Sequence, residues 1–281
     1  MNKKNTKLVI QFLSPLILVV SMFLILPYIL MVLDSFQGKE IGFTVSNYIT
    51  ALTNKFYLNA IVNSLKISIL SSAIGMTIAL ICAYAITQFH STQQNKIITI
   101  LNMTSNYSGV PLALGYILLL GNTGLFIMLS KHNGWSTLSE FNVYSWVGLI
   151  ICYVYFQIPL GIMLVYPAFL GIRKEWQESA ALLGANELQF WMKIGMPILM
   201  PSMIGTLSIL FANAMSAYGT AIALVGKNYN LLTIRIGSMV VGEMMPNYEL
   251  ASALAVILGG LNMALMATNE RVSKFIRSGS R

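Results

Sequence analysis

Apolar residues fall in six long stretches that contain no Asp, Glu, Lys or Arg. These are Leu8–Leu33, Ile67–Asn95, Ile97–Ser130, Phe141–Ile172, Ile194–Gly226 and Leu250–Asn269. A helix needs roughly 20 mainly apolar residues to cross the hydrocarbon of a bilayer. Each stretch is long enough, and several have polar ends, so each is expected to contain one span. Barrel strands are excluded: they run about 10 residues and alternate in polarity, and these stretches do neither. The pattern predicts an all-α membrane protein with six transmembrane helices. They are expected over Leu8–Leu33, Lys66–Thr87, part of Ile97–Leu120, Tyr144–Leu170, Pro201–Val225, and a last helix ending near Ala267. The first run is longer than a signal-peptide core, and "PYILMVLDSF" has no small-x-small cleavage site, so it reads as a retained helix. A segment between the third and fourth spans, "GNTGLFIMLSKHNGWSTLSEFN", has room for a short interfacial helix.

Composition agrees with the pattern. Charged residues are 9% of the chain and apolar residues 56%, with mean hydropathy +0.72. A soluble domain carries about 25% charge. The net charge of +8 would suit a nucleic-acid ligand, but its distribution points elsewhere. With six spans and the N-terminus inside, eleven of the 17 basic residues fall on the inner side, Lys3, Lys4, Lys7 and Arg281 among them. That is the positive-inside bias. It places both termini in the cytoplasm and the chain in a bacterial inner membrane. Cys82 and Cys152 fall within spans and have no metal-ligand spacing. No internal repeat or soluble domain is visible. Residues 1–281 read as one permease-like domain, with its core at about 60–270 and one sizeable inner loop at about 171–200.

That loop is the exception in an oily chain. "EWQESAALLGANELQFWMKIGMPILMP" gathers Glu175, Glu178 and Glu187, three of nine acidic residues. Acids at its start suit the positive end of a helix, and Ala180 to Leu183 are helix formers. Gly184 breaks the run, a helical pattern resumes, and Pro197 and Pro201 follow. One or two short helices at the inner membrane face are predicted. A plain connector needs only about 2 to 8 residues. This one is several times longer and presents small residues that let a partner approach closely.

The same loop resembles the signature of the membrane subunits of ATP-binding-cassette (ABC) importers: E-A-A, three residues, G, nine residues, I-x-L-P. Glu178 stands at E, Ser179 and Ala180 at the alanines, Gly184 at G, Ile194 at I, Met196 at L and Pro197 at P, with every spacing matched. The departures, Ser179 and Met196, keep small size and apolar character. The resemblance extends from about the second helix to the sixth. It implies the type I importer permease fold with a cytoplasmic coupling helix seated in a groove of a separate ATPase subunit. Glu178 would be a polar contact near the helix start, Gly184 would permit close approach or a bend, and Pro197 would fix the turn into the fifth span. The implied partners are two ATPase subunits, a second permease chain, homologous or identical, and an external solute-binding protein. ATP and Mg would be bound by the ATPase partner, and this chain would hold no cofactor or metal.

The chain itself shows no sign of catalysis. It has no G-x-x-x-x-G-K-[ST] phosphate loop, and His90 and His132 fall on opposite sides of the predicted topology. Intramembrane acids, which a proton-driven carrier needs, are almost absent. Polar residues inside spans are therefore the candidates for a translocation path. They are Asn102, Ser105, Asn106 and Tyr107, then Tyr153, Tyr155 and Gln157, then Asn213, Ser216, Tyr218 and Thr220. Interhelical hydrogen bonding uses the same residue types. Asn106, Asn213 and Tyr218 are the preferred path residues. "GVPLALGYILLLGNTGLF" and "NLLTIRIGSMVVGEM" resemble the branch of the family that carries polyamines, opines and phosphonates. A small polar solute such as a polyamine or aminoalkylphosphonate is expected, with ferric iron or thiamine as the alternative cargo. A stand-alone secondary carrier and a non-transporting scaffold are the rival classes.

Overall fold

The computed structural model describes residues 13–38, 42–133, 140–241 and 246–279, with side chains to residue 273. Lys3, Lys4, Lys7, the first residues of the first predicted helix (8–12), Lys39, residues 242–244 and Arg281 lie outside the described residues, as do the side chains of Lys274 and Arg277. Among the described residues the structure is helical, apart from one isolated bridge between Gln37 and Phe43. In chain order the helices are α1 (Leu13–Ser35), α2 (Ser46–Thr53), α3 (Lys55–Thr87), α4 (Ser91–Ser105), α5 (Val110–Leu120) and α6 (Leu125–Asn133). Then come α7 (Trp146–Leu170), α8 (Lys174–Leu182), α9 (Glu187–Met215), α10 (Tyr218–Val225), α11 (Leu232–Val240) and α12 (Tyr248–Gly279). Six segments are long and apolar enough to cross a membrane: α1, α3, the α5–α6 pair, α7, α9, and α12 to Ser273.

The number of spans agrees with the sequence pattern, but several boundaries differ. α3 starts at Lys55 rather than Lys66, because a charge does not end a helix that can hold it outside the hydrocarbon. Asn54 Oδ1 accepts the Phe56 N–H at 2.9 Å and starts the helix, and Lys66 is exposed within it. The third expected helix is broken. Gly109 has φ +73°, a conformation L side chains rarely adopt, and Pro111 follows in the first turn of α5. The spanning segment is therefore Val110–Asn133, and the short interfacial helix expected beyond it is α6, part of that span. The fifth span is Glu187–Met215, with a break at Ser216–Ala217 before α10. α12 continues as helix through the basic residues to Gly279.

Two five-residue π turns interrupt helices, at Ser21–Ile25 in α1 and Trp191–Gly195 in α9. Each ends two residues before a proline. The N–H of Leu26 reaches back to Ser21 O, and that of Met196 to Trp191 O, five residues away in both cases. Pro27 and Pro197 offer no N–H, and their rings would press on the carbonyl four residues earlier. Widening the turn moves that carbonyl aside. Pro159 and Pro167 sit inside α7 with no such widening.

The chain divides into two compact units. One comprises residues up to Asn59 with Arg235–Gly259, and the other Ala60–Ile234 with Gly260 onward. In the first, Ser35 Oγ and Tyr48 OH share a 2.6 Å hydrogen bond, and Asn47 Nδ2 donates to the carbonyls of Ser35 and Gln37. Arg235 lies over the Phe56 ring at 4.6 Å.

In the second unit α7 is central, packing against α4 and α9. Leu149, Cys152, Tyr153, Phe156 and Gln157 are buried along it. The facing stripe of α3 is small, with Ser64, Ser68, Ser71, Ser72, Gly75 and Ala79 all buried. Lipid tails give no hydrophobic drive between helices, so close backbone approach and interhelical hydrogen bonds hold such a seam. A Cβ at Gly161 would meet Ala79 Cβ at 2.9 Å. Gln157 Nε2 donates to Ser71 Oγ at 2.9 Å, and Leu232 N–H donates to Ser64 Oγ at 2.8 Å.

Candidate coupling surface and translocation path

Local rules build the charged loop into two helical pieces joined by a tight cap. Arg173 is extended and α8 begins at Lys174, with Glu175 in the first turn. At the far end Gly184 N–H donates to Ala181 O (2.9 Å) and Ala185 N–H to Ala180 O (3.0 Å). This is a Schellman cap, which needs a left-handed residue just past the helix. Gly184 supplies it at φ +79°. Asn186 then caps the start of α9: its Oδ1 accepts Gln189 N–H (2.8 Å), while Gln189 Oε1 accepts Asn186 N–H (3.0 Å).

The residues matched to the importer signature fall at defined places on this frame. Glu178 is exposed in the middle of α8, not near its start as expected, because the helix opens at Lys174. Ser179 donates to Glu175 O (2.7 Å), so its hydroxyl is used within the helix. Ala180 is buried. Ile194 lies in the π turn, and Pro197 lies within a continuous α9, where the chain widens rather than turns. Leu182 and Leu183 are 90% and 88% exposed, flanking the cap, and Leu188 and Met192 are exposed beyond it. A crevice of about 260 Å³, lined by Glu178, Ala181, Asn186 and Phe190 among others, opens beside them.

The path candidates separate into two groups. Tyr153 is 2% exposed and donates to Ala217 O (2.9 Å). Gln157 is fully buried against Ser71. Thr220 is buried, and its Oγ1 accepts Gly109 N–H at 3.0 Å. These three tie helices together. Asn102, Asn106, Tyr107, Asn213, Ser216 and Tyr218 are exposed. Asn106 and Ser105 both donate to Asn102 O, and Tyr107 to Pro111 O. Tyr155 packs edge-on against Tyr116.

Four of the exposed residues, Asn106, Tyr107, Ser216 and Tyr218, lie within four residues of a junction. The α4–α5 break and the α9–α10 break meet through the Gly109–Thr220 bond, and a Cβ at Gly219 would touch Gly109 Cα at 3.4 Å. Irregular backbone at membrane depth is tolerated where protein buries it or where it lines a watery cavity. The sequence pattern predicted neither break, at 106–109 or at Ser216–Ala217.

No family model matches the sequence. Among curated proteins, the chain is 23% identical over 258 residues to the spermidine/putrescine transport system permease protein PotC of Escherichia coli K12, covering 90% of each. It is 29% identical over 145 residues to the sulfate transport system permease protein CysT of Salmonella typhimurium, a match over 50% of this chain and 52% of that one. Among solved structures, a chain of a bacterial ABC transporter involved in the import of the acidic polysaccharide alginate superposes with TM-score 0.79 at 19% identity, over 97% of each chain. A chain of the MetNI methionine ABC transporter superposes with TM-score 0.58 at 16% identity, over 78% of this chain and 95% of that one. The structural matches carry the fold, and the PotC match runs along nearly the whole sequence. The chain is thus similar along nearly its whole length to a transport-system permease protein, and in fold to chains of ABC transporters.

Proposed function

We propose that the chain forms the membrane passage for a small polar solute and takes its energy from ATPase subunits docked on α8. The observation that carries this reading is the coupling surface. Two leucines about nine-tenths exposed flank a glycine cap, in a loop otherwise rich in charge and matched to the importer signature. Exposed apolar side chains grouped at one point mark a partner site. The loop then faces the cytoplasm, with both termini on the same side. ATP and Mg belong to the ATPase partner, a second permease chain completes the passage, and a binding protein delivers solute from outside. One structural relative was solved in complex with an alginate pentasaccharide-bound periplasmic protein.

The solute is a polyamine in this reading, supported by the end-to-end similarity to PotC. Asn106, Asn213 and Tyr218 line the passage at the junction of the two helix breaks. Neutral amides and a phenol there suit transient contact, leaving selection to the binding protein. The sulfate permease match covers half the chain and favours an oxyanion as the competing cargo.

The test is uptake of labelled spermidine and labelled sulfate by cells expressing the chain with its ATPase, second permease and binding protein. Spermidine uptake that vanishes without the ATPase is expected. Sulfate uptake instead would overturn the cargo, and uptake that persists without the ATPase would favour a secondary carrier. Crosslinking from Ala181→Cys to the ATPase checks the dock directly.

A further inference from the structure

Next to the coupling surface lies an aromatic cluster that the signature does not include. Trp191 is the first residue of the π turn in α9. Its ring meets Tyr84 of α3 edge-on at 5.1 Å and Phe169 of α7 at 6.1 Å, and Tyr84 and Phe169 pack on each other at 6.2 Å. On its other side it meets Phe190 at 5.6 Å, also edge-on. Phe190 is 4% exposed and lines the crevices on both sides of α8, alongside Ala180 and Ala181. The two adjacent rings thus point different ways, one under α8 and one between α3 and α7. A crevice of about 160 Å³ separates the start of α8, at Lys174 and Gln177, from Tyr84 and Phe169. Trp191 closes one side of it.

Two further features show that this ring position is enforced. Gly195 lies four residues on, and a Cβ there would overlap the Trp191 ring at Cε3. The π turn sets the direction in which Trp191 leaves the helix. Aromatic pairs of this geometry attract beyond what burial alone supplies. The three contacts made by one ring form a stiff link across what is otherwise a gap.

We infer that Trp191 is the positioning residue through which displacement of α8 reaches α3 and α7. It joins the partner-facing helix to the membrane helices and, being half-buried, also borders the crevice beside α8. The inference rests on the coupling reading of α8, so the experiment separates the two.

The complete complex, assembled in lipid nanodiscs, carries two reporters in separate preparations. One is the crosslink from Ala181→Cys to the ATPase. The other is labelling of Asn213→Cys by a membrane-impermeant maleimide, with and without ATP and vanadate. In the otherwise unaltered complex the crosslink forms and ATP changes the labelling. With Trp191→Ala the crosslink persists while the ATP-dependent change in labelling falls about fivefold or more, the lower end of ordinary allosteric coupling. Trp191→Phe retains the change. Gly195→Ala, which keeps the tryptophan but drives its ring from the slot, loses it; this variant also answers if Trp191→Ala fails to assemble. Full ATP-dependent labelling in Trp191→Ala or Gly195→Ala overturns the inference. So does loss of the crosslink in Trp191→Ala, which would make the ring part of the dock. Absence of the crosslink in the unaltered complex overturns the coupling reading, and this inference with it.

Discussion

Single residues decide how the charged loop between α7 and α9 is shaped. Gly184 is needed for its backbone, since among the described residues nothing beyond its two chain neighbours lies within 4 Å of where its Cβ would be. A left-handed conformation costs an L residue roughly 1–2 kcal/mol. Gly184→Ala should therefore loosen the cap and raise hydrogen exchange of the Gly184 and Ala185 amides about fivefold, a free-energy change of about 1 kcal/mol. Unchanged exchange there would show that the cap is not held by glycine. Gln157 shows the opposite case, a residue fixed by its partner. Its Nε2 bonds Ser71 while its Oε1 has no partner among the described residues. Ser71→Ala would leave the whole amide unmatched in an apolar seam, at a cost of about 1–3 kcal/mol. Gln157→Leu removes the polar group at similar size and should cost less. Unfolding in mixed micelles by SDS would rank the two, and the reverse order would refute this account of the seam.

At the level of elements, discontinuity sets the arrangement. α4–α5 and α9–α10 each break where a single continuous helix was expected, and the two breaks hold each other. Thr220 accepts the N–H of Gly109, a donor that the break would otherwise leave without a partner. Thr220→Val keeps the shape and removes the acceptor. A buried unmatched N–H costs about 1–3 kcal/mol, so SDS unfolding should begin at lower detergent fraction. The change should also increase protease sensitivity near residues 106–109. Wild-type stability in this variant would mean that water serves the Gly109 amide. Asn106 and Tyr218 lie within three residues of the bonded pair, so their exposure and the local stability should change together.

Across the whole molecule, the number of spans was legible because a bilayer demands long uncharged runs. Boundaries were less so, in two physical situations. Where helix continues into water, as from Lys55 to Lys66 or through Arg271 to Gly279, charges hid it. Where apolar sequence continues past a break, as from Ala217 to Val225, hydropathy hid the break. The signature spacing in the loop was readable because it is local. The Thr220–Gly109 tie joins residues 111 apart, and Trp191 reads as one more apolar residue in an apolar run. Its neighbours Tyr84 and Phe169 are brought to it only by the fold.

The π turn also carries a consequence for how such chains can change. A π turn is an α-helix with one residue too many. Five residues there cover about the rotation that four cover in a regular helix, so the surplus residue is absorbed inside the turn. Deleting one residue from the turn would straighten the helix and leave Leu182 and Leu183 facing much as before. Deleting one from the regular helix that follows, which has no slack, would turn the loop by about 100° relative to the rest of α9. The π turn is thus a place where the chain can change length without changing aim.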